Sequence, residues 1–464
     1  MPSSRYDILV IGSGPGGYRA AVLAALQGRQ VAIVEKQQWG GCCLNRGCVP
    51  KKDWYHSARL MEAGQHFAAR GIHGQLHADL DQAWQHQHQV VGRVRDSYLD
   101  YLQRLGVTRL QGHARLLGPR RVALDGDATV LESEHIILAT GATPFYPTGF
   151  EPVAGKVLGS DELFQQPPPA GNRVAVLGGG VVACELAYIL QRLGKQVSWY
   201  ARGGLLARGR FSPQARKQLE QALARAGLQL HQRWPEALEI HGEGVFLHGP
   251  EEQVDWVLVA TGRRPNTGAL GLENTRVETD PAGFILRDAH LETAEPGIYA
   301  IGDCTSPQMT ANQALADATV AVHNILHGKQ RRQQPERVPQ AVYSALELAR
   351  IGLDDDQAED QGFEPAVGFA AFETSPRALG QDESEGFVRL LADMDTGVFL
   401  GGEIVGSEAG ELIHTLAAAS SIDEGLRLLA RLAYNHPSRS EELLNAVETM
   451  AGKWGMGEFI FHEA

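Results

Sequence analysis

The chain has 464 residues, too many for a single hydrophobic core, so we expect about three domains. Its apolar fraction of 43% and charged fraction of 21% are those of a globular protein, and a formal net charge of −13 argues against a nucleic-acid-binding surface. We expect neither a membrane span nor a signal peptide, because no apolar run is long enough and no basic segment precedes one. Five unevenly spaced cysteines do not suit a secreted framework and favour a reducing, cytoplasmic location with one functional disulfide.

The first predicted elements form a nucleotide-binding unit. An apolar strand at residues 6–11 leads into the sequence GSGPGG, an Ala-rich helix and a second strand that ends at Glu35. This G-x-G-x-x-G pattern inside a βαβ unit is typical of dinucleotide sites. Gly12 permits the tight turn, Gly14 lets the backbone approach a pyrophosphate, and Gly17 lets the helix pack on the strand. Glu35 would accept hydrogen bonds from a ribose.

A pair of cysteines follows this unit, in the sequence GGCCLNRGCVPKK at residues 40–52. Four residues separate Cys43 from Cys48, a spacing that lets two thiols on a helical turn close a reducible disulfide. An inert buried thiol pair and a metal site are the alternatives. The metal site is disfavoured, because no second Cys or His pair lies nearby at metal-ligand spacing.

The nucleotide-binding pattern then occurs a second time. A strand at residues 172–177 precedes the sequence GGGVVA, a helix and a further strand. Gly178, Gly180 and Ala183 occupy the three fingerprint positions, the last of which tolerates alanine. One such loop is a weak signal, but two complete units predict two bound dinucleotides. The proline run at residues 167–169 predicts a linker ahead of the second unit.

Two later segments share an apolar strand followed by Ala-Thr-Gly, one ending at Gly141 and the other at Gly262. Each would return the chain to its own nucleotide domain. Beyond about Val338 the pattern changes to strands and helices without glycine loops, which predicts an α+β domain.

Taken in order, these motifs resemble the pyridine nucleotide–disulfide oxidoreductase family over essentially the whole chain, and its dihydrolipoamide dehydrogenase branch in particular. Further motifs carry the resemblance: ATGRRPN at 260–266, YAIGD at 299–303, GGEIVGSEAGELI at 401–413 and HPSRSE at 436–441. The resemblance implies an α/β fold with two Rossmann-like domains, for FAD and NAD(P), and a C-terminal α+β dimerisation domain. The implied boundaries are 1–149 for the first part of the FAD domain, 150–268 for the NAD(P) domain, 269–337 for the second, central part of the FAD domain and 338–464 for the interface domain.

The resemblance also implies roles for the reactive residues. Cys48 would supply the thiolate nearest the flavin, and Cys43 would exchange with the substrate. His436 and Glu441 would form an acid–base pair that acts on the opposite subunit, so the enzyme would be a homodimer. On local sequence alone, His436 could equally be a cap-like residue before a helix.

The cofactor contacts follow from the same resemblance. Lys52 and Glu185 would pair beside the flavin, although either residue alone would by default be a solvated surface charge. The implied FAD contacts are Gly12, Gly14, Gly17, Glu35, Gly41, Lys52, Ala114, Gly141, Asp303 and Ala311. The implied contacts of the nicotinamide nucleotide are Gly178, Gly180, Ala183, Arg202, Arg208 and Gly262.

Three features depart from the family pattern. Cys42 replaces the usual threonine, which we interpret as a small buried residue, with a third redox-active thiol as the alternative. Lys51 replaces a serine. Ala201 stands where an NAD site carries an acid, and Arg202 and Arg208 follow it, as in glutathione reductase. Two arginines without an acid suit a 2′-phosphate, which favours NADP(H) and leaves NAD(H) open.

The substrate is therefore predicted as lipoamide or a lipoyl-bearing carrier protein, with a low-molecular-weight disulfide such as glutathione as the alternative. A non-catalytic subunit that retains the fold is the remaining hypothesis, and disulfide-dependent turnover of NAD(P)H would contradict it.

Overall fold

The computed structural model describes residues 5–124 and 129–461. The first elements are β1 (Arg5–Ile11), α1 (Pro15–Leu26), β2 (Val31–Glu35), α2 (Gly41–Arg46), α3 (Cys48–Ala63), α4 (Leu80–Arg104), β3 (Thr108–Gln111), β4 (Ala114–Gly118), β5 (Arg121–Leu124), β6 (Val130–Leu138) and β7 (Ala142–Pro144). Strands β3, β2, β1 and β6 lie side by side in that order and run parallel. The antiparallel strands β5 and β4 extend this first sheet beyond β6.

Residues 157–259, the second part of the chain, form a second sheet. This part contains β8 (Val157–Gly159), α5 (Ser160–Gln165), β9 (Arg173–Leu177), α6 (Val181–Arg192), β10 (Gln196–Tyr200), α7 (Pro213–Arg225), β11 (Leu230–His231), β12 (Ala237–His241), β13 (Gly244–His248), β14 (Glu252–Val254) and β15 (Trp256–Val259). Five parallel strands form the sheet, in the order β11-β10-β9-β15-β8. Strands β12, β13 and β14 make a separate antiparallel sheet.

Helix α6 joins β9 to β10 just as α1 joins β1 to β2, which confirms both predicted βαβ units. The predicted linker at residues 167–169 is wrong. Strand β8 precedes those prolines and already pairs in parallel with β15, so the proline run lies inside the second part of the chain.

The chain then returns to the first sheet. Strand β16 (Arg263–Pro265) pairs antiparallel with β7 in a two-stranded ribbon. Strand β17 (Ile298–Ala300) pairs in parallel with β6 and completes the seven strands of the first sheet. Helix α8 (Ala311–His327) packs on α1.

The C-terminal part is a different kind of unit, as predicted. It contains β18 (Gln340–Tyr343), β19 (Glu347–Gly352), α9 (Asp355–Asp360), β20 (Pro365–Ala371), α10 (Pro376–Gln381), β21 (Phe387–Asp393), β22 (Phe399–Val405), α11 (Ala409–Ala419), α12 (Gly425–Arg431), α13 (Glu441–Trp454) and α14 (Gly457–Phe461). The antiparallel order is β18-β19-β22-β21-β20. The α/β fold class is confirmed, and the exact domain boundaries stay a prediction.

Burial explains the apolar runs of the two nucleotide sheets. Residues 8–11 of β1 and 174–177 of β9 are buried without interruption, because helices or further strands cover both faces of a parallel sheet. Trp54 of α3 is fully buried and packs against Phe164 of α5, with ring centroids 5.0 Å apart. Helix α3, which begins at Cys48, is thereby fixed against the second part of the chain. In the described part of the chain, no helix is long and apolar enough to cross a membrane.

Candidate active site

The N-terminal glycine loop allows close approach to its backbone. Gly12 has a φ of +104°, and a Cβ atom there would collide with the carbonyl oxygen of Ala139. A Cβ atom on Gly41 would lie 2.7 Å from the Cα atom of Gly14, so the start of α2 also contacts the loop. Gly17 packs behind the loop against Gly12, as its packing role predicts. Open space faces Gly14, which leaves room for a phosphate at the N-terminus of α1.

This loop borders a cleft of about 1610 Å³, its open mouth included. Eight of the predicted FAD contacts line it: Gly12, Gly14, Glu35, Gly41, Ala114, Gly141, Asp303 and Ala311. Burial raises the pKa of Asp303, and the nearby guanidinium of Arg263 opposes that rise. A cleft bordered by the glycine loop, with open space beside Gly14 and an acid at the end of β2, fits a dinucleotide such as FAD.

Glu35 lies in the cleft wall and also holds the glycine loop. Its carboxylate accepts hydrogen bonds from the backbone N and the Oγ of Ser13, at 3.0 and 2.6 Å, and from the backbone N of Gln37 at 2.8 Å. Ser13 Oγ in turn accepts a hydrogen bond from the backbone N of Gly40, at 3.0 Å. The acid therefore ties the loop to the segment that leads into the cysteine pair, a function that the fingerprint alone does not reveal.

The cysteine pair lies where two helices meet. Cys43 is on α2 and Cys48 begins α3, with Gly47 between the helices. The two cysteines form a disulfide, with Cα atoms 4.7 Å apart, and both line the cleft. A Cβ atom on Gly47 would lie 3.2 Å from the Cα atom of Cys43, so glycine keeps this junction compact. The disulfide decides against a free thiol pair and against a metal site.

Next to this junction, two lysines of α3 share one carboxylate. Glu185 of α6 has a side chain that is only 2% exposed. Lys51 Nζ lies 2.6 Å from its Oε2 atom, and Lys52 Nζ lies 3.3 Å from both carboxylate oxygens. Glu185 Oε1 also accepts a hydrogen bond from the backbone N of Tyr343 at 2.9 Å. The predicted Lys52–Glu185 pair is thus formed, but the shorter ion pair belongs to Lys51.

The two lysines differ in their surroundings. Lys51 lines the cleft, whereas the ammonium of Lys52 lies 3.5 Å from the centroid of the Tyr343 ring. Burial lowers the pKa of Lys52 to about 8, although Glu185 acts in the opposite direction. Burial alone would raise the pKa of Glu185, but the two ammonium groups outweigh it and lower that pKa. The carboxylate is therefore ionised, and it faces more positive charge than a single lysine would supply.

Cys42 faces charged groups rather than a disulfide partner. Arg263 Nη2 lies 3.3 Å from the sulfur, and Asp161 Oδ1 lies 3.9 Å from it. Arg263 also pairs with Asp161 at 3.1 Å. Burial raises the pKa of the Cys42 thiol, despite the guanidinium beside it. Cys42 is partly buried in the cleft wall, and its raised pKa favours the interpretation of it as a packing residue over a third redox-active thiol.

The predicted acid–base pair is assembled on the surface of the chain. His436 Nδ1 lies 2.8 Å from Glu441 Oε1, and the imidazole is 73% exposed. Glu441 also accepts a hydrogen bond from the backbone N of Ser438 at 2.8 Å. That hydrogen bond, followed by the contact with His436, lowers the pKa of Glu441. The imidazole is therefore open to solvent on the surface of the single chain.

The second glycine loop shares the geometry of the first. Gly178 has a φ of +140°, and a Cβ atom there would collide with the carbonyl oxygen of Ala260. Gly180 precedes α6 and faces open space, and Ala183 is fully buried in α6. Gly262, with a φ of +118°, also faces open space. The loop can therefore admit the phosphates of a second nucleotide.

The segment after β10 folds against this loop. The backbone N of Leu206 donates to the carbonyl oxygen of Gly179 at 2.8 Å, which places Arg202 and Arg208 on the chain that flanks the glycines. Both arginines are exposed, and the Arg202 guanidinium lies 5.0 Å from the Trp234 ring centroid. Both cations are therefore accessible to an anionic ligand.

Comparison with known proteins decides the family. The family model for pyridine nucleotide-disulphide oxidoreductases matches residues 6–345, and the model for the dimerisation domain of the same proteins matches residues 338–447. The chain belongs to the pyridine nucleotide-disulphide oxidoreductase family.

Individual relatives are similar over almost their full length. Dihydrolipoyl dehydrogenase of Thermus scotoductus is 34% identical over 96% of this chain and 97% of its own. Glutathione reductase of Burkholderia cepacia is 34% identical over 90% and 93%. Among solved structures, LpdA from Mycobacterium tuberculosis has a TM-score of 0.89 at 25% identity, covering 96% of this chain and 99% of its own. The HOCl-induced flavoprotein disulfide reductase RclA from Escherichia coli has a TM-score of 0.83 at 25% identity, with the same coverage.

Membership of the pyridine nucleotide-disulphide oxidoreductase family makes the protein a flavoprotein disulfide oxidoreductase that uses FAD and a pyridine nucleotide. In this chain, Cys43 and Cys48 form the active-site disulfide that is typical of the family. The dimerisation domain supports a homodimer. The predicted family and enzyme class are therefore confirmed and the homodimer is supported, whereas the roles of the individual site residues stay predictions.

Sequence reasoning missed two members of this oxidoreductase site. Lys51 stood out as a departure from the family pattern, but no local signal predicts which of two adjacent lysines lies closer to Glu185. Arg263 lies in the ATGRRPN motif, yet its contacts with Cys42 and Asp161 join residues far apart in the chain. The packing of α2 against α5 brings Cys42 close to Asp161, and Arg263 of β16 reaches both side chains.

Proposed function

We propose that this enzyme moves electrons between NADP(H) and a dithiol–disulfide substrate of the lipoamide type, either free or on a carrier protein. The observation that carries the proposal is the Cys43–Cys48 disulfide in the wall of the nucleotide cleft, one helical turn before Lys51. Bound FAD would exchange two electrons between the nicotinamide and this disulfide.

The residues of the chain supply the exchange chemistry. After reduction, the Cys43 thiolate attacks one sulfur of a substrate disulfide and forms a mixed disulfide, and the other substrate sulfur leaves as a thiolate. The partner subunit's His436 gives that sulfur a proton. The Cys48 thiolate then attacks Cys43, re-forms the disulfide and expels the second substrate sulfur as a thiolate. That sulfur takes a proton from solvent, so one substrate disulfide becomes two thiols. In the reverse direction, the same steps oxidise a dithiol.

The preference for NADP(H) rests on the segment beside the second glycine loop. Ala201 leaves that segment without the acid that would bind a ribose 2′-hydroxyl, and the exposed Arg202 and Arg208 offer positive charge there. A 2′-phosphate would gain charge-assisted hydrogen bonds from these guanidinium groups.

Glutathione disulfide is the second candidate substrate. The arginine pattern at the nucleotide site, Arg202 and Arg208, and the similarity of the chain to a glutathione reductase favour it. The described chain has one disulfide and three free cysteines, Cys42, Cys184 and Cys304, which favours a reducing compartment such as the cytoplasm.

Steady-state turnover tests the proposal. Purified holoenzyme is assayed with lipoamide, dihydrolipoamide and glutathione disulfide, each with NAD(H) and with NADP(H). Turnover of lipoamide with a preference for NADP(H) is expected. Arg202→Ala should raise the KM for NADPH by roughly tenfold or more, because a hydrogen bond to a charged group is lost, while Lys217→Ala on α7 serves as the control. A clear preference for NADH would refute the nucleotide assignment, and glutathione turnover without lipoamide turnover would favour the second candidate.

A further inference from the structure

Arg439 lies between His436 and Glu441 in the chain, yet its side chain points inward. The Arg439 side chain is 1% exposed, whereas the His436 side chain is 73% exposed. A fully buried arginine is rare unless it is paired. Burial lowers the pKa of Arg439, while the carboxylate of Glu383 acts in the opposite direction.

Glu383, just after α10, is the partner of this buried arginine. Arg439 Nη2 lies 2.9 Å from Glu383 Oε2, and Nη1 donates to the carbonyl oxygen of Glu383 at 3.1 Å. The guanidinium also lies 5.5 Å from the Phe372 ring centroid. Because two guanidinium nitrogens of Arg439 bind the same residue, Glu383 fixes both the position and the orientation of the arginine.

Glu383 also binds α3, which begins at Cys48 and is called the thiol helix below. Its Oε1 atom pairs with Arg59 Nη2 on α3, and the same nitrogen donates to Ser407 Oγ at 3.0 Å. Arg59 Nη1 pairs with Glu62 Oε2 at 2.7 Å. Because α3 begins at Cys48, this ion-pair chain connects the thiol helix to the segment that holds the imidazole.

The chain of polar contacts continues to the helix that carries Glu185. Tyr188 OH of α6 donates to Glu62 Oε2 at 2.5 Å, and Arg192 of α6 pairs with Glu62 Oε1 at 3.3 Å. The thiol helix, the helix that bears Glu185 and the His436 segment are therefore joined by one continuous set of charged groups.

We infer that Arg439 is a positioning residue that, through Glu383 and Arg59, fixes the His436–Glu441 pair relative to the thiol helix of its own chain. The inference rests on the proposed function and deepens it. The exposed imidazole is held by Glu441, and the backbone between the two is anchored at Arg439. The position of the His436 imidazole, which would act on the partner subunit, is thereby determined by contacts within its own subunit.

Stopped-flow measurement of the two half-reactions tests this inference on the holoenzyme. Arg439→Met and the milder Glu383→Gln should leave the reduction of the enzyme by NADPH unchanged, because His436 takes no part in it. Reoxidation of the reduced enzyme by lipoamide or glutathione disulfide should slow by roughly 10- to 100-fold, the cost of misplacing a catalytic group by about 1 Å. Arg439→Lys keeps the charge and should recover part of the rate.

Arg115→Met, which removes an exposed arginine–glutamate pair with Glu273, is the matched control and should leave both half-reactions unchanged. Hydrogen–deuterium exchange supplies a readout besides activity: the amide of Ser438 should exchange faster in Arg439→Met than in the wild type, because its hydrogen bond to Glu441 loosens.

Unchanged reoxidation in Arg439→Met and Glu383→Gln, or equal slowing of both half-reactions, would overturn the inference while leaving the proposed function intact. If reduced wild-type enzyme is not reoxidised by either disulfide, the proposed function fails and the inference fails with it.

Discussion

Glu185 and its two lysine partners beside the cleft can be substituted one at a time, and the losses of stability then show how much each ion pair contributes. We consider Glu185→Gln, Lys51→Met and Lys52→Met. The structure ranks the two ion pairs. Lys51 Nζ lies 2.6 Å from Glu185 on a side chain that is 13% exposed, whereas Lys52 Nζ lies 3.3 Å away on a side chain that is 35% exposed.

The expected losses in the free energy of unfolding follow from that ranking. Glu185→Gln leaves the largely buried Lys51 and the partly exposed Lys52 without a counter-charge, and it should cost about 3–5 kcal/mol, the usual cost of breaking a buried ion pair. Lys51→Met removes the closer partner but leaves Lys52, so we expect about 2 kcal/mol, roughly half of that cost. Lys52→Met should change the stability at pH 7 by less than about 1 kcal/mol in either direction, because the lowered pKa of Lys52 shows that burial offsets the attraction of Glu185, and solvent screens this more exposed pair.

Equilibrium urea unfolding, followed by tryptophan fluorescence at one fixed protein concentration with excess FAD, measures these losses. The concentration must be fixed because dimerisation and cofactor binding both add to the apparent stability. Arg5→Met, which removes an exposed pair with Glu134, controls for the loss of a surface cation. If Lys52→Met cost as much as Lys51→Met, the assignment of Lys51 as the main partner of Glu185 would be refuted.

Three further predictions concern the same cleft and its reacting groups. His436→Gln should slow exchange with substrate disulfides by about 10²- to 10⁴-fold without changing reduction by NADPH, as stopped-flow absorbance would show, and equal slowing of both steps would contradict the assigned role. Because burial lowers the pKa of Lys52 to about 8 from 10.5, the unfolded chain binds more protons between those values. Wild-type stability relative to Lys52→Met should therefore rise as the pH increases from 8 to 10.5, and a flat difference in urea midpoints would argue against the shift. Gly41→Ala should abolish FAD retention, measured from the visible absorbance of purified protein, because its Cβ atom would press on Gly14, whereas Gly28→Ala shares a positive φ but meets open space and should retain FAD.

The elements with strong local signals were predictable from the sequence. Both glycine loops, the strands around them and the Cys43–Cys48 pair follow from short-range rules, since each depends on residues close together in the chain. The pairing of His436 with Glu441 was predictable for the same reason, because only five positions separate them.

Contacts between distant segments were beyond such rules. The sequence could not show that Lys51 approaches Glu185 more closely than Lys52 does, because adjacent residues on a helix point in directions that only packing selects. It also could not show that Arg439 turns inward to Glu383 and thence to Arg59 of α3. The misplaced proline linker has a similar cause: β8 is only three residues long and carries a weak signal, yet pairing with β15 places it in the second sheet.

The ribbon of β7 and β16 has a consequence for how the molecule can be rebuilt. Ala142 pairs with Pro265, so the chain leaves the first sheet and comes back to it at neighbouring points. The stretch between these strands is thus a cassette with adjacent ends, and a short turn can span the gap that its removal leaves. A cassette transplanted from a relative with the other nucleotide preference would enter through the same two strands. It would have to keep Glu185 and Asp161, because their carboxylates contact residues beside the thiol pair.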